Sequence, residues 1–221
     1  MRYAIHADDH PDGQLHATEL LTQRLLELAG EQRVEPADEV LYVLEGEGEL
    51  EAGGERHALR PGTAVFVAAG TPWRAAGARV LSVLVHEPPA ATAPFAVRDL
   101  TAEERGSATA GRQFVLGATP EVGCASATQF VGLVPPGRAP DHFHTYDEVI
   151  YVVAGEGELV IDGERAPLRA GSCVHLPARL VHCLANTGDE ELRLLGVFRP
   201  AGSPAEAYYP DGTPAVVPDP E

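Results

Sequence analysis

The sequence predicts an all-β chain built of two tandem copies of one barrel or sandwich unit. Three observations carry this. Residues 38–50 read DEVLYVLEGEGEL and residues 147–159 read DEVIYVVAGEGEL, with ten of thirteen positions identical at a constant offset of 109. The match runs on without a gap: Gly54-Glu55-Arg56 repeats as Gly163-Glu164-Arg165, Leu59-Arg60 as Leu168-Arg169, and Gly62 as Gly171. Within each copy, short β-branched and aromatic runs are parted by turn residues every eight to twelve positions or so, the spacing of sandwiches and barrels. A self-match of this length marks a duplicated unit.

Each element follows from local chemistry. Val40–Leu44 and Val149–Val153 are β-branched and aromatic runs closed by Gly46 and Gly155. Gly53-Gly54 and Asp162-Gly163 supply residues that accept the positive φ of a two-residue hairpin turn. Pro61-Gly62 and Ala170-Gly171 lead into short strands at Ala64–Val67 and Cys173–Leu176. Leu20, Leu21, Leu25 and Leu28 fit a helical stripe by spacing. Their counterpart, Thr128–Val134, is β-rich and ends in Pro135-Pro136-Gly137, so the repeat makes Leu20–Leu28 a strand. The Pro-, Ala- and Thr-rich stretch 91–111 reads as a connection between a first unit, 1–90, and a second, 112–221. Asp99–Glu104 is expected to form a helical turn there, with Thr101 as N-cap. From Ala201 the tail carries Pro204, Pro210, Pro214, Pro218 and Pro220. It is expected to add only a short turn at Ala205–Tyr208 and to end loosely held.

Composition narrows the partners. A chain of 221 residues, 44% of them hydrophobic, can bury a core as one large domain or two smaller ones. A net charge of −17 argues against nucleic acid and anionic membrane surfaces, both of which need clustered Lys and Arg. Cys124, Cys173 and Cys183 form no paired motif, which suits a reducing compartment. The first residues lack the apolar run of a signal peptide, and no stretch approaches the roughly 18 apolar residues of a membrane span. The expectation is a cytoplasmic protein whose partner is a small molecule. Association as a homodimer is left open.

Candidate metal ligands gather in the second copy. His142 and His144 lie two apart, so a strand turns both to one face, and Glu148 keeps the same parity. His182 arrives from a later strand and can approach from the neighbouring wall. Three imidazoles and a carboxylate suit one divalent transition metal per chain, such as Fe, Mn, Zn, Ni or Cu. Tyr146 and Asp147, beside them, read equally well as supports of the ligands or as surface residues. His6, His10 and His16 sit in an Asp/Gly/Pro-rich start and are expected to be solvated.

At these residues the chain resembles the cupin superfamily, and the duplication resembles a bicupin. The first family motif falls on Gly137, His142, His144, Glu148 and Gly155; the second falls on Gly171, Pro177, His182 and Asn186. Two departures stand out. The spacing from Gly137 to His142 is one residue short, and Arg179 occupies a position where the family usually has Gly. The resemblance implies two tandem double-stranded β-helix (jelly-roll) barrels and a metal held by His142, His144, Glu148 and His182.

The first copy departs further. Aligned through Glu39, it has Arg33 in place of His142, Glu35 in place of His144, Trp73 in place of His182 and Gly77 in place of Asn186. A guanidinium and an indole cannot replace imidazole ligands. This copy therefore reads as metal-free, with Arg33 neutralising Glu39 or Glu35 and Trp73 filling the space. An alternative is a ligand pocket anchored by Arg33.

By the same resemblance, a metal-dependent enzyme acting on a small organic molecule is the leading function, dioxygenase-like ahead of decarboxylase or isomerase. Phe143, Ile150, Val152 and Leu184 suggest an apolar pocket suited to an aromatic or carbonyl compound. Arg138 and Arg179 are the only cations expected nearby. A non-catalytic binding or sensing module with a structural metal is the alternative, because no acid–base residue beyond Glu148 is evident. No catalytic residue is singled out.

Overall fold

In the computed structural model, which describes residues 3–215, the two copies form two antiparallel jelly-roll barrels. In the first, three long strands lie side by side: Leu21–Arg33, Asp38–Ala52 and Trp73–Val85. Leu21 and Asp38 both register with Val85, while Arg33 and Ala52 both register with Trp73. Register shifts near Ala29 and between Gly46 and Glu49 bend these strands, so that each runs from one wall of the barrel into the other. Glu55–Leu59 and Thr63–Val67 pair with the far and near parts of Asp38–Ala52.

The second barrel follows the same path in shorter pieces. Asp147–Ala154 and Glu156–Ile161 are parted at Gly155, which has φ +89°. A Cβ there would lie 2.8 Å from Leu192 Cα, so a side chain is excluded on two counts. Its counterpart Gly46 has φ +85°, and a Cβ there would lie 2.4 Å from the Gly77 carbonyl oxygen. These two glycines recur because the barrel corner requires them.

Strand parity sorts the apolar residues into three cores. Leu41 and Val43 point into the first barrel, with Leu50, Val65 and Trp73. Ile150 and Val152 point into the second, with Leu159, Val174 and Leu176. The alternate residues, Val40 and Tyr42 with Val149 and Tyr151, meet in a third core between the barrels. Two buried glutamines tie this seam in matching fashion. Gln23 Nε2 donates to the Ile150 carbonyl at 3.2 Å, and Gln129 Nε2 donates to the Leu41 carbonyl at 3.1 Å. Leu20–Leu28 is strand, as the repeat argument requires, from Leu21 onward.

Other expectations are corrected. The stretch 91–111 is not bare connection: Phe95–Asp99 pairs with Thr63–Val67, and Gly106–Ser107 pairs with Gln113–Leu116. At Asp99–Glu104 a single turn closes, with Ala102 N donating to Asp99 O at 3.4 Å, and no helix starts from Thr101. Asp99 Oδ1 instead accepts from the Thr101 amide at 3.1 Å and from its hydroxyl at 2.6 Å, and this local turn outcompetes the helix. His6 is not solvated. It ends the strand Ala4–His6, which pairs with Ser172–Leu176 of the second barrel, and its ring lies 3.0 Å from the Ala170 carbonyl oxygen. His16 packs 6.0 Å from His175, with Nε2 buried. The tail does more than turn: Tyr208 bridges to Phe143 and to Pro214. Pro218 and Pro220, with the loose end expected there, lie outside the described residues.

Candidate metal centre

Alternation along one segment builds the site. His142, His144, Tyr146, Glu148 and Ile150 are successive even positions, and all five line one cavity of about 80 Å³ inside the second barrel. His182 joins them because its backbone bridges His142 directly: His142 N donates to His182 O at 3.0 Å, and His182 N donates to His142 O at 2.8 Å. Ligand atoms of His142, His144 and His182 all lie within 4.8 Å of one another. Glu148 stands outside that cluster, in the same cavity and 3% exposed. A larger open groove of about 580 Å³ runs between Tyr3–His6 and Glu164–Arg169, with Leu159, Ile161 and Leu168 of the barrel core also lining it. Among the described residues no cluster of metal-ligating side chains forms there, so the chemistry points to the smaller cavity.

The hydrogen bonds fix the state of the imidazoles. His142 Nδ1 lies 2.9 Å from Pro140 O, His144 Nδ1 lies 2.7 Å from Glu206 O, and His182 Nδ1 lies 2.9 Å from Leu180 O. A carbonyl oxygen can only accept, so each Nδ1 carries the proton. In a neutral ring that leaves the Nε2 lone pair free. Burial keeps the rings neutral. It pushes His142 down, His144 down to about 4, and His182 well below the usual range, with the neighbouring imidazoles adding to the effect on His144 and His182. Three neutral, pre-oriented imidazoles are the donor set a divalent transition ion needs, so these residues fit one.

Around the cluster, burial pushes the Glu148 carboxyl up to about 8, against the pull of the Arg112 guanidinium. Tyr146 is buried and stacks on His144 with centroids 4.7 Å apart and on Phe198 at 3.8 Å, which favours the support role over a surface one. Asp147, on the opposite strand face, binds His175 at 2.9 Å. Val174 and Leu176 face the barrel interior, whereas Cys173 lies in the seam between barrels. Asn186 is structural: its amide donates to Val134 O and Glu190 O at 2.8 and 2.7 Å. Arg179 adopts φ +66°, the conformation that explains the usual glycine, and its backbone N–H donates to His144 O at 2.7 Å.

Several pocket expectations are corrected. Ile150 and Leu184 line the cavity. Phe143 instead stacks on Tyr208 at 5.6 Å, and Val152 packs into the barrel core. Arg138 pairs with Asp141 at 2.7 Å, and neither Arg138 nor Arg179 reaches the cavity wall. The cation that does is Arg112, thirty positions before His142, which donates to Leu184 O. Pro204, Ala205 and Ala207 of the tail form another part of the wall. No motif spacing announced Arg112 or the tail. Both reach the site by tertiary packing of segments far from it in sequence.

Among the described residues, no comparable cluster of metal-ligating side chains forms in the first barrel. Arg24, not Arg33, neutralises Glu39 at 2.9 Å, and it also reaches Glu35 at 3.2 Å. Ser82 donates to Glu39 at 2.6 Å. Arg33 reaches Glu35 at 3.4 Å. Trp73, 2% exposed, fills the barrel.

The cupin domain profile matches residues 27–85 and 130–198, more than half of the chain. A Streptomyces cyaneus protein named polyketide synthase CurC is 36% identical over 101 residues, covering 44% of this chain and 66% of that one. Gentisate 1,2-dioxygenase of a Ralstonia species is 36% identical over 78 residues, covering 34% of this chain and 22% of that one. The chain thus spans less than two thirds of either relative. Among solved structures, a glyoxylate-induced protein of Pseudomonas aeruginosa superposes with a TM-score of 0.72 at 18% identity. The superposition covers 88% of this chain and 87% of that one, a likeness of fold. Among the described residues, no helix is long and apolar enough to cross a membrane.

Proposed function

The chain belongs to the cupin family, and from that premise we propose that it is a metal-dependent enzyme acting on a small, largely apolar organic molecule, with dioxygenase-like chemistry favoured. The observation that carries this reading is the trio His142, His144 and His182, each with Nδ1 on a backbone carbonyl and its other ring nitrogen free. A divalent transition ion held there, with Glu148 beside it, would supply a Lewis-acid centre for a substrate oxygen or O₂. The protein's own residues do the rest. Phe114, Phe130, Ile150, Leu184 and Leu194 exclude water and pack against an apolar body. Tyr146 holds the His144 ring in plane. Relatives named for polyketide synthesis and for gentisate dioxygenation support the substrate class and the reaction class respectively.

A second reading, a binding or sensing module with a structural metal, draws on the small cavity and on its single carboxylate, Glu148. Metal analysis of the purified protein, followed by O₂ uptake with small phenols, diketones and carboxylates, separates the two. Iron or copper with O₂ consumption supports the enzyme. Firmly held zinc with no turnover on any compound supports the binding module.

A further inference from the structure

We infer that the cavity is built for a carboxylate on a flat apolar body, and that Arg112 is the residue that grips its charge. The inference rests on the metal-centre reading and adds to it the ligand class. Arg112 enters the cavity from the stretch between the barrels and is anchored on one side by Leu184 O. Among the described residues it forms no ion pair, and Glu148 is the only acid in the cavity wall. Glu148 acts on Arg112 electrostatically without forming an ion pair with it, so the guanidinium keeps donors that an anion in the cavity can take.

The first barrel provides an internal comparison. Its interior arginine, Arg24, is used up by Glu39, Glu35 and Ser82. Among the described residues Arg112 makes no such ion pair: its hydrogen bond goes to Leu184 O, and Glu148 acts on it only through its charge. With a divalent ion on three neutral imidazoles, Glu148 and Arg112 leave the cavity two positive charges in excess, which favours an anionic ligand. Directional donors on a planar guanidinium match a carboxylate in particular. The remaining walls, Phe114, Phe130, Ile150, Leu184 and Leu194, are apolar and offer contact to the body that carries the carboxylate.

Benzoate and its neutral isostere benzamide test this by calorimetric titration into zinc-loaded wild type, Arg112→Gln and Arg112→Lys. Benzoate should bind wild type at least tenfold more tightly than benzamide. Arg112→Gln should erase that preference and Arg112→Lys should retain part of it, with zinc content and melting temperature unchanged. Equal benzoate affinity in wild type and Arg112→Gln overturns the inference, and so does equal binding of the two compounds by wild type. Should Arg112→Gln fail to fold, protection of Arg112 from phenylglyoxal by benzoate in wild type decides, and absence of protection overturns it. Failure of the chain to take up any metal would sink the proposed function. A benzoate preference that depends on Arg112 in metal-free protein would still uphold the anion site.

Discussion

The Arg33 guanidinium lies over the Trp73 indole, 5.7 Å from its centroid, and the two residues are register partners across adjacent strands. The second barrel sets His142 opposite His182 on the equivalent register. One scaffold position thus carries a cation–π pair in one copy and a pair of candidate metal ligands in the other. The carboxylate common to both, Glu39 or Glu148, is neutralised by Arg24 in the first barrel. Glu39→Gln should therefore leave metal at one per chain, measured by elemental analysis. A fall in stoichiometry would show that the first barrel also holds metal.

His142→Ala combined with His144→Ala should abolish metal uptake while leaving the β-sheet circular dichroism unchanged. Both side chains point into a cavity, and the backbone hydrogen bonds of His142 to His182 and of His144 to Arg179 do not need the imidazoles. Unchanged metal content in the double variant would mean that the site is elsewhere.

The tail takes part in the site through the Glu206 carbonyl on His144 Nδ1. Its position depends on Tyr208, which stacks on Phe143 and exchanges two backbone hydrogen bonds with it, both at 2.9 Å. Tyr208→Ala should loosen this strap and lower metal affinity about 10- to 100-fold, the usual effect of losing a ligand's orienting partner. Competition with a chromophoric chelator would measure it. Equal affinity would show that Glu206 O is incidental.

Much of this was legible in the sequence, for a physical reason. Strand side chains alternate, so a repeat in a β chain reveals both the scaffold and which parity faces inward; His142, His144 and Glu148 could be read from that alone. Arg33 came forward by alignment, yet Glu39 is served by Arg24, because the neutralising side chain reaches across from the neighbouring strand. Arg112 and the Glu206 carbonyl were illegible for a related reason. A backbone carbonyl has no sequence signature, and which remote segment closes over a barrel mouth is decided by packing. The Asp99 turn was a local competition, in which a side-chain oxygen two residues before the amide prevailed over the helical cap.

Acid should destabilise the metal-free protein through the buried histidines. His144 is pushed down to about 4 in the folded chain, from 6.5 when unfolded. Below 6.5 the unfolded state binds the proton first, so stability falls as pH drops from 6.5 toward 4, and above 6.5 it is flat in this group. Between pH 7.5 and pH 5, His144 alone should cost about 2 kcal/mol. Glu148 acts in the opposite sense. Its carboxyl is raised from 4.5 to about 8, so its contribution is present at acid pH and lost as pH rises through that window. The two are separated by variants. Urea denaturation of chelator-treated wild type, His144→Gln and Glu148→Gln at both pH values gives the slopes. His144→Gln should gain about 2 kcal/mol relative to wild type on acidification, and Glu148→Gln should lose stability relative to wild type over the same step. A His144→Gln slope identical to that of wild type would mean that the ring is already protonated, or solvated, in the folded chain.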